Sequence, residues 1–168
     1  MVKTDVPVKI LLVDDTPANL LTLEAVLEKL GVSLVKANSG EEALHHIARD
    51  NFAAILMDVR MPEMDGFETA ATISRSDPSR KMPIIFLTAA QGSEKERAQA
   101  YSVGGIDYLL KPFVPSELRT KVSILSDLYR RNGELLGEIG DLKRDICELN
   151  NQNLKLKTEM NEVLLGRT

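Results

Sequence analysis

At 168 residues and a net charge of −4, the chain has room for one domain of ordinary size plus an appendage, and it carries no basic field to attract nucleic acid or anionic lipid. Hydrophobic residues make up 43% and charged residues 27%, the balance of a soluble globular protein, and no apolar run approaches the roughly 20 residues that a membrane span needs. The single cysteine, Cys147, excludes an internal disulfide framework and fits a reducing cytosol, so a cytoplasmic protein with neither nucleic acid nor membrane as partner is expected.

The first seven residues read as a tail, and the apolar stretch behind them is too short for a signal peptide and is closed by two aspartates. KILLV (Lys9–Val13) then reads as a first strand. A helical pattern runs from Ala18 to about Leu30 and stops at Gly31, a helix C-terminal signal. SLVKA (Ser33–Ala37) reads as a second strand. Ser39-Gly40-Glu41-Glu42 has the spacing of a capping box and opens a second helix. AAILM (Ala53–Met57), PIIFL (Pro83–Leu87) and IDYLL (Ile106–Leu110) complete five strands, with helices over Asp65–Arg75 and Ser93–Val103 between them. The first, third and fourth strands are nearly all apolar, as parallel strands covered on both faces must be. Strands alternating with helices predict right-handed βαβ units and a doubly wound parallel sheet.

Beyond Lys111-Pro112 the character changes. Pro115 suits the first turn of a helix, and no further proline follows it. A helix from there to about Leu165 would be about 75 Å long.

The chemistry sits at strand ends. Asp14 and Asp15 end the first strand, Asp58 the third, Thr88 the fourth, and Lys111 follows the fifth. Ligands of open parallel sheets bind beyond the carboxyl ends of the strands, at the switch in strand order. With the order 2-1-3-4-5, the first and third strands are neighbours and the three carboxylates converge. Such a cluster repels itself unless a cation joins it, and a hard ion with oxygen ligands such as Mg²⁺ fits. The set offers acids for a metal, a carboxylate nucleophile, and a hydroxyl and a cation for phosphoryl oxygens. Taken singly, each has a plainer use: Asp14-Asp15 as a helix cap, Asp58 as a turn residue, Thr88 as a strand end, Lys111 as a solvated lysine.

LLVDDTPANL, ILMDVRMPEMDGFE, PIIFLTA and GGIDYLLKPF, in that order, resemble the receiver family of two-component response regulators over about Val8 to Ser123. The resemblance implies a five-stranded, flavodoxin-like α/β fold with strand order 2-1-3-4-5. It implies that Asp58 takes a phosphoryl group from a histidine kinase or phosphotransfer protein. It further implies that Asp15, Asp58 and the backbone carbonyl of Arg60 bind Mg²⁺, with Asp14 acting through water. Thr88 and Lys111 would hold phosphoryl oxygens, Tyr108 would be the switch aromatic, and the Lys111–Pro112 bond would be cis. Gly66 matches the glycine after the third strand's loop, and Ala89 leaves room for a donor. Arg60 and Ala90 occupy positions that in the family influence the lifetime of the acyl phosphate, and Ala90 cannot orient an attacking water.

From Leu128 onward, apolar residues step by four and three without a slip. Leu128, Leu135, Leu142, Leu149, Leu156 and Val163 form the d row, and Asn132, Ile139, Ile146, Asn153 and Met160 the a row. Leucine at d with isoleucine at a predicts a parallel two-stranded coiled coil, with asparagine at a fixing register. The 3.5-residue period predicts a left-handed supercoil. Glu138 at g can reach Lys143 at e of the partner helix. Gly133, Gly137 and Gly140 fall outside the seam. A basic-region zipper is disfavoured, because Arg119, Lys121, Arg130 and Arg131 are the only basic residues just upstream and share a frame with Ile124, Leu125 and Leu128.

The domain organisation expected is a tail at 1–7, a receiver at 8–123, and a dimerisation helix at 124–168 continuous with the last receiver helix. An output or transmitter domain beyond Thr168 is a possible further partner. Two rivals share parts of this pattern. A Mg²⁺-dependent phosphatase with an aspartate nucleophile would need a cap insertion and a nearby second acid, yet after Asp58 no acid occurs until Glu63. An inert receiver carrying a dimerising helix would not need the full set of acids, threonine and lysine.

Overall fold

The computed structural model describes residues 7–77, 81–88 and 93–166. Its strands are β1 (Lys9–Val13), β2 (Ser33–Ala37), β3 (Ala54–Asp58), β4 (Ile84–Thr88) and β5 (Gly105–Leu110). They form one parallel sheet in the order β2-β1-β3-β4-β5. Every residue of β3 and β4 is buried, as is all of β1 except Lys9, so the apolar runs are used as central strands covered on both faces. β3 and β4 each sit one residue later than their apolar runs. The last rungs pair Asp58 with Leu87 and Thr88 with Leu110, so the chemical residues belong to the ladder itself.

The helices are α1 (Pro17–Leu27), α2 (Gly40–Arg49), α3 (Gly66–Ser76), α4 (Glu94–Ser102) and α5 (Pro115–Leu164). α1 passes into a 3₁₀ turn over Glu28–Leu30 before Gly31, whose φ of 63° is the left-handed conformation that ends a helix. The expected capping box of α2 is only half made. Ser39 Oγ accepts from the Glu42 N–H at 3.1 Å, but Glu42 Oε2 accepts from the Asn38 N–H at 2.7 Å, one residue upstream of the cap. A complete box closes α3 instead: Asp65 Oδ1 accepts from the Glu68 N–H at 2.8 Å, and Glu68 Oε2 from the Asp65 N–H at 3.0 Å.

Alternation along the strands sorts the core into two layers. Leu11, Val13, Ile55, Met57, Ile84 and Phe86 face a cluster with Ile47 of α2, Phe67 and Ile73 of α3, and Ala100 of α4. Ile10, Leu12, Leu56, Ile85 and Leu87 face Leu20, Leu23 and Leu27 of α1 and Leu118 and Val122 of α5. The Lys111–Pro112 peptide bond is cis.

Packing divides the chain between Arg130 and Arg131. In the first unit, α5 buries Leu118, Val122 and Ser126. The residues from Arg131 to Leu164 are helical, and none of them is buried.

Lys121 of α5 donates to Asp107 Oδ2 of β5 at 2.5 Å. That hydrogen bond raises the lysine pKa, against a smaller opposing effect of burial. A lysine whose pKa is raised by folding contributes stability that is complete below its unfolded value of 10.5 and fades as pH climbs through the higher folded value. Lys121→Met should therefore cost under about 1 kcal/mol at neutral pH, since the pair is partly solvated. Urea unfolding of both proteins over rising alkaline pH should show that difference shrinking.

Candidate functional site

All five strands point their carboxyl ends to the same rim, where the ends of β1, β3, β4 and β5 lie side by side. Asp14, the residue after β1, is 1% exposed and Asp58, the last of β3, is 7% exposed. Lys111, just past β5, reaches back between them, with Nζ 2.6 Å from Asp58 Oδ1 and 2.9 Å from Asp14 Oδ2. The Lys111 N–H donates to the Thr88 carbonyl at 2.7 Å, which fixes where the lysine leaves the sheet.

Burial pushes the Asp58 carboxyl up from its ordinary value, and the Asp14 charge adds to this. The hydrogen bond and charge of Lys111 and the backbone N–H of Arg60 pull it down without cancelling the rise. Burial by itself would lower the Lys111 pKa, but the two carboxylates outweigh it and hold the ammonium above the usual lysine value. The lysine is thus a fixed cation, held by two acids.

Asp14 is saturated with donors. Its Oδ1 accepts from the Thr16 N–H and from Asn19 Nδ2, both at 2.9 Å, and its Oδ2 accepts from Asn19 Nδ2 at 3.0 Å besides Lys111. Asp15 is exposed, and among the described residues no three acidic, histidine or cysteine side chains lie close enough together to hold a metal ion. The side chains brought together are therefore Asp14, Asp58 and Lys111, with Asp15 exposed to solvent.

Thr88, 1% exposed, ends β4, two residues beyond the rung that pairs Phe86 with Tyr108 of β5. Tyr108 is buried, which raises its pKa, and its hydroxyl donates to Glu96 Oε2 at 3.4 Å. The Arg60 guanidinium is 67% exposed and stands 3.8 Å from Glu96 Oε1. Ala89 and Ala90 lie outside the described residues. A shallow apolar groove of about 230 Å³, lined by Leu23, Val26, Pro112, Phe113 and Pro115, opens beside Lys111.

Residues 10–123 match the family model described as the response regulator receiver domain. The chain belongs to that family. Among its relatives is the transcriptional regulatory protein SrrA of Staphylococcus aureus, 32% identical over 156 residues that cover 93% of this chain and 61% of SrrA. The chain therefore spans under two thirds of that relative's length. A putative response regulator from Chloroflexus aurantiacus is similar in structure at 35% identity and a TM-score of 0.66, covering 72% of this chain and 98% of that one. The Vibrio cholerae chemotaxis protein CheY4 is similar at 29% identity and a TM-score of 0.65, covering 71% and 98%. The receiver fold and strand order expected from the sequence are those observed. Receiver domains are regulatory, and in general they bind Mg²⁺ at their phosphorylation site.

Two residues of this receiver escape the sequence reading. Asn19, in the first turn of α1, holds both oxygens of Asp14; its signal is a polar residue five positions after the acid. Glu96 joins Tyr108 to Arg60, and in the sequence it is only one of several charges in KERAQ. The seam residues are all exposed in the single chain: Leu128, Asn132, Leu135, Ile139, Leu142, Ile146, Leu149, Asn153, Leu156, Met160 and Val163.

Gly66 starts α3 against the backbone of β3, donating its N–H to the Val59 carbonyl at 2.9 Å. A Cβ there would lie 2.3 Å from the Asp58 carbonyl oxygen. No side chain can give way, because the obstacle is backbone. Gly66→Ala should destabilise the receiver by at least about 1–3 kcal/mol, read as a lowered urea midpoint with an unchanged slope.

Proposed function

We propose that Asp58 is the phosphoacceptor of this receiver, and that Asp15, Asp58 and the Arg60 carbonyl hold Mg²⁺ with Asp14 in support. The observation that carries this is the Lys111 ammonium set between the Asp58 and Asp14 carboxylates at the rim of the sheet. Of the two buried acids, Asp14 has its lone pairs committed to Thr16, Asn19 and Lys111, whereas Asp58 retains capacity to attack. In the transfer, an Asp58 oxygen forms a bond to phosphorus as the bond from phosphorus to the donor's leaving group breaks, and the leaving group departs with the electron pair. Lys111 is placed to neutralise the incoming phosphoryl oxygens, and the Thr88 hydroxyl to donate to one of them.

The donor set suits Mg²⁺: carboxylate and carbonyl oxygens, with Asp15 free to turn inward. The ion would supply charge neutralisation for the dianionic group. A histidine kinase or phosphotransfer protein is the donor that the family implies, and the apolar groove between α1 and Phe113 offers it a surface beside the site. The chain would act as a switch with no substrate turnover beyond its own phosphorylation and dephosphorylation. The phosphatase alternative finds no support at Asp58, whose nearest buried acid, Asp14, already accepts hydrogen bonds from Thr16, Asn19 and Lys111.

The helix beyond the receiver is read as the dimerising element, with the receiver taken as 8–123 and the helix as 124–168. The support is the a/d stripe, which is exposed among the described residues and matches the parallel two-stranded preference. Phosphorylation would then be passed to a pair of chains. SrrA is by name a transcriptional regulator, and an output domain following Thr168 remains part of this proposal for the longer protein.

Incubation with acetyl phosphate and Mg²⁺ should add one phosphoryl mass to the intact protein. Asp58→Asn or chelation of the metal should abolish the adduct, and undiminished labelling of the Asp58→Asn variant would refute the assignment. Sedimentation of the unphosphorylated chain should give a dimer. Asn153→Leu should raise its melting temperature and broaden the oligomer distribution, because the native amide loses its self-pairing register. A wild-type monomer, or a single unchanged dimer in the variant, would remove the coiled-coil role or the register role respectively.

A further inference from the structure

Glu96 stands at the third position of α4, after the cap Ser93, whose Oγ accepts the Glu96 N–H at 3.1 Å. A glutamate there ordinarily turns back to the cap's own N–H, as Glu68 does to Asp65 in α3. Glu96 does not. One carboxylate oxygen accepts from the buried Tyr108 hydroxyl at 3.4 Å, and the other faces the Arg60 guanidinium at 3.8 Å. Every other residue in the first turn of α4 is exposed, whereas the Glu96 side chain is 30% exposed. One carboxylate thus joins the loop after Asp58 to β5, the strand paired with β4, giving a chain that runs from Arg60 through Glu96 to Tyr108.

That chain starts beside Asp58. Arg60 follows it by two residues, and Thr88 ends the strand paired with β3. A phosphoryl group on Asp58 is a dianion with three strong acceptor oxygens, a better partner for a guanidinium than one carboxylate at 3.8 Å. We propose that Glu96 is a positioning residue that competes with the phosphoryl group for Arg60, so that it holds the unphosphorylated arrangement and sets the affinity of the site for its anionic donor. This rests on Asp58 being the phosphoacceptor. Arg97 also places positive charge near Tyr108, but its side chain is exposed and it makes no ion pair among the described residues.

The test is a double-mutant cycle on the full chain with Glu96→Gln, Arg60→Ala and the pair, read as the initial rate of Asp58 phosphorylation against acetyl phosphate concentration in excess Mg²⁺. Glutamine keeps an oxygen for Tyr108 but loses the charge that holds Arg60. Glu96→Gln should lower the half-saturating acetyl phosphate concentration about two- to fivefold, the range of a partly exposed ion pair, with little change in the maximal rate. In the Arg60→Ala background the same substitution should leave half-saturation unchanged. A purely structural role would instead lower the maximal rate or the melting temperature and would not depend on Arg60. Wild type that labels normally while Glu96→Gln matches it, or an effect of equal size without Arg60, would overturn this inference alone. Wild type that takes no phosphoryl group would overturn the assignment of Asp58 and this inference with it.

Discussion

The ammonium of Lys111 lies 2.6 Å from one buried carboxylate and 2.9 Å from another, and the rim of the sheet is arranged around that shared charge. Two acids beside each other in a half-dry site repel, and without a cation one would take up a proton. The lysine removes that conflict and links the ends of β1, β3 and β5. Its own position is set by the N–H it donates to Thr88 at the end of β4. Four of the five strands are therefore tied together at the site by a single residue. Any group that takes over part of the charge carried by Lys111 is felt at each of those strand ends.

The sheet that makes this possible is written in short apolar runs. KILLV, AILM and IIFL leave no polar face, so they can only be interior strands with helices on both sides, and parallel connections follow. β1 and β2 keep the boundaries that those runs indicate. β3 and β4 move one residue onward, because burial continues through Asp58 and Thr88 once they acquire partners, and hydropathy alone does not register a partnered polar residue. The same limit explains Asn19 and Glu96. Each is one polar side chain on a helix, with no period or motif to raise it above its neighbours, and its importance comes from what it faces in three dimensions. Ser39 shows the reverse case. The spacing to Glu42 fits a capping box, yet the glutamate chooses the Asn38 N–H, a choice that depends on local backbone geometry and not on spacing.

The fifty residues of α5 illustrate a different kind of legibility. Helix propensity and the absence of proline predict α5, which runs from Pro115 to Leu164. Its first turns are held by burial of Leu118 and Val122 in the receiver core. Farther along, regular spacing of Leu142, Ile146 and Leu149 is as plain in the sequence as any strand, but in the single chain those side chains are 57–60% exposed. An isolated helix of that composition gains little from burying nothing, and its glycines at 137 and 140 each cost about 1 kcal/mol of propensity. The pattern has the form of the interface proposed above, and an interface is a feature that a single chain does not display.

The glycine at the start of α3 has a mechanical meaning. Behind Asp58 the backbone is packed so closely that not even a methyl group fits, and the complete capping box at Asp65 and Glu68 clamps the helix that forms this wall. An aspartate backed in this way cannot recoil. The core behind it has no room to spare. The wall thus fixes the backbone behind Asp58, so that a group joined to its carboxylate, as proposed above, would have to be housed on the solvent side, where the Arg60 guanidinium stands.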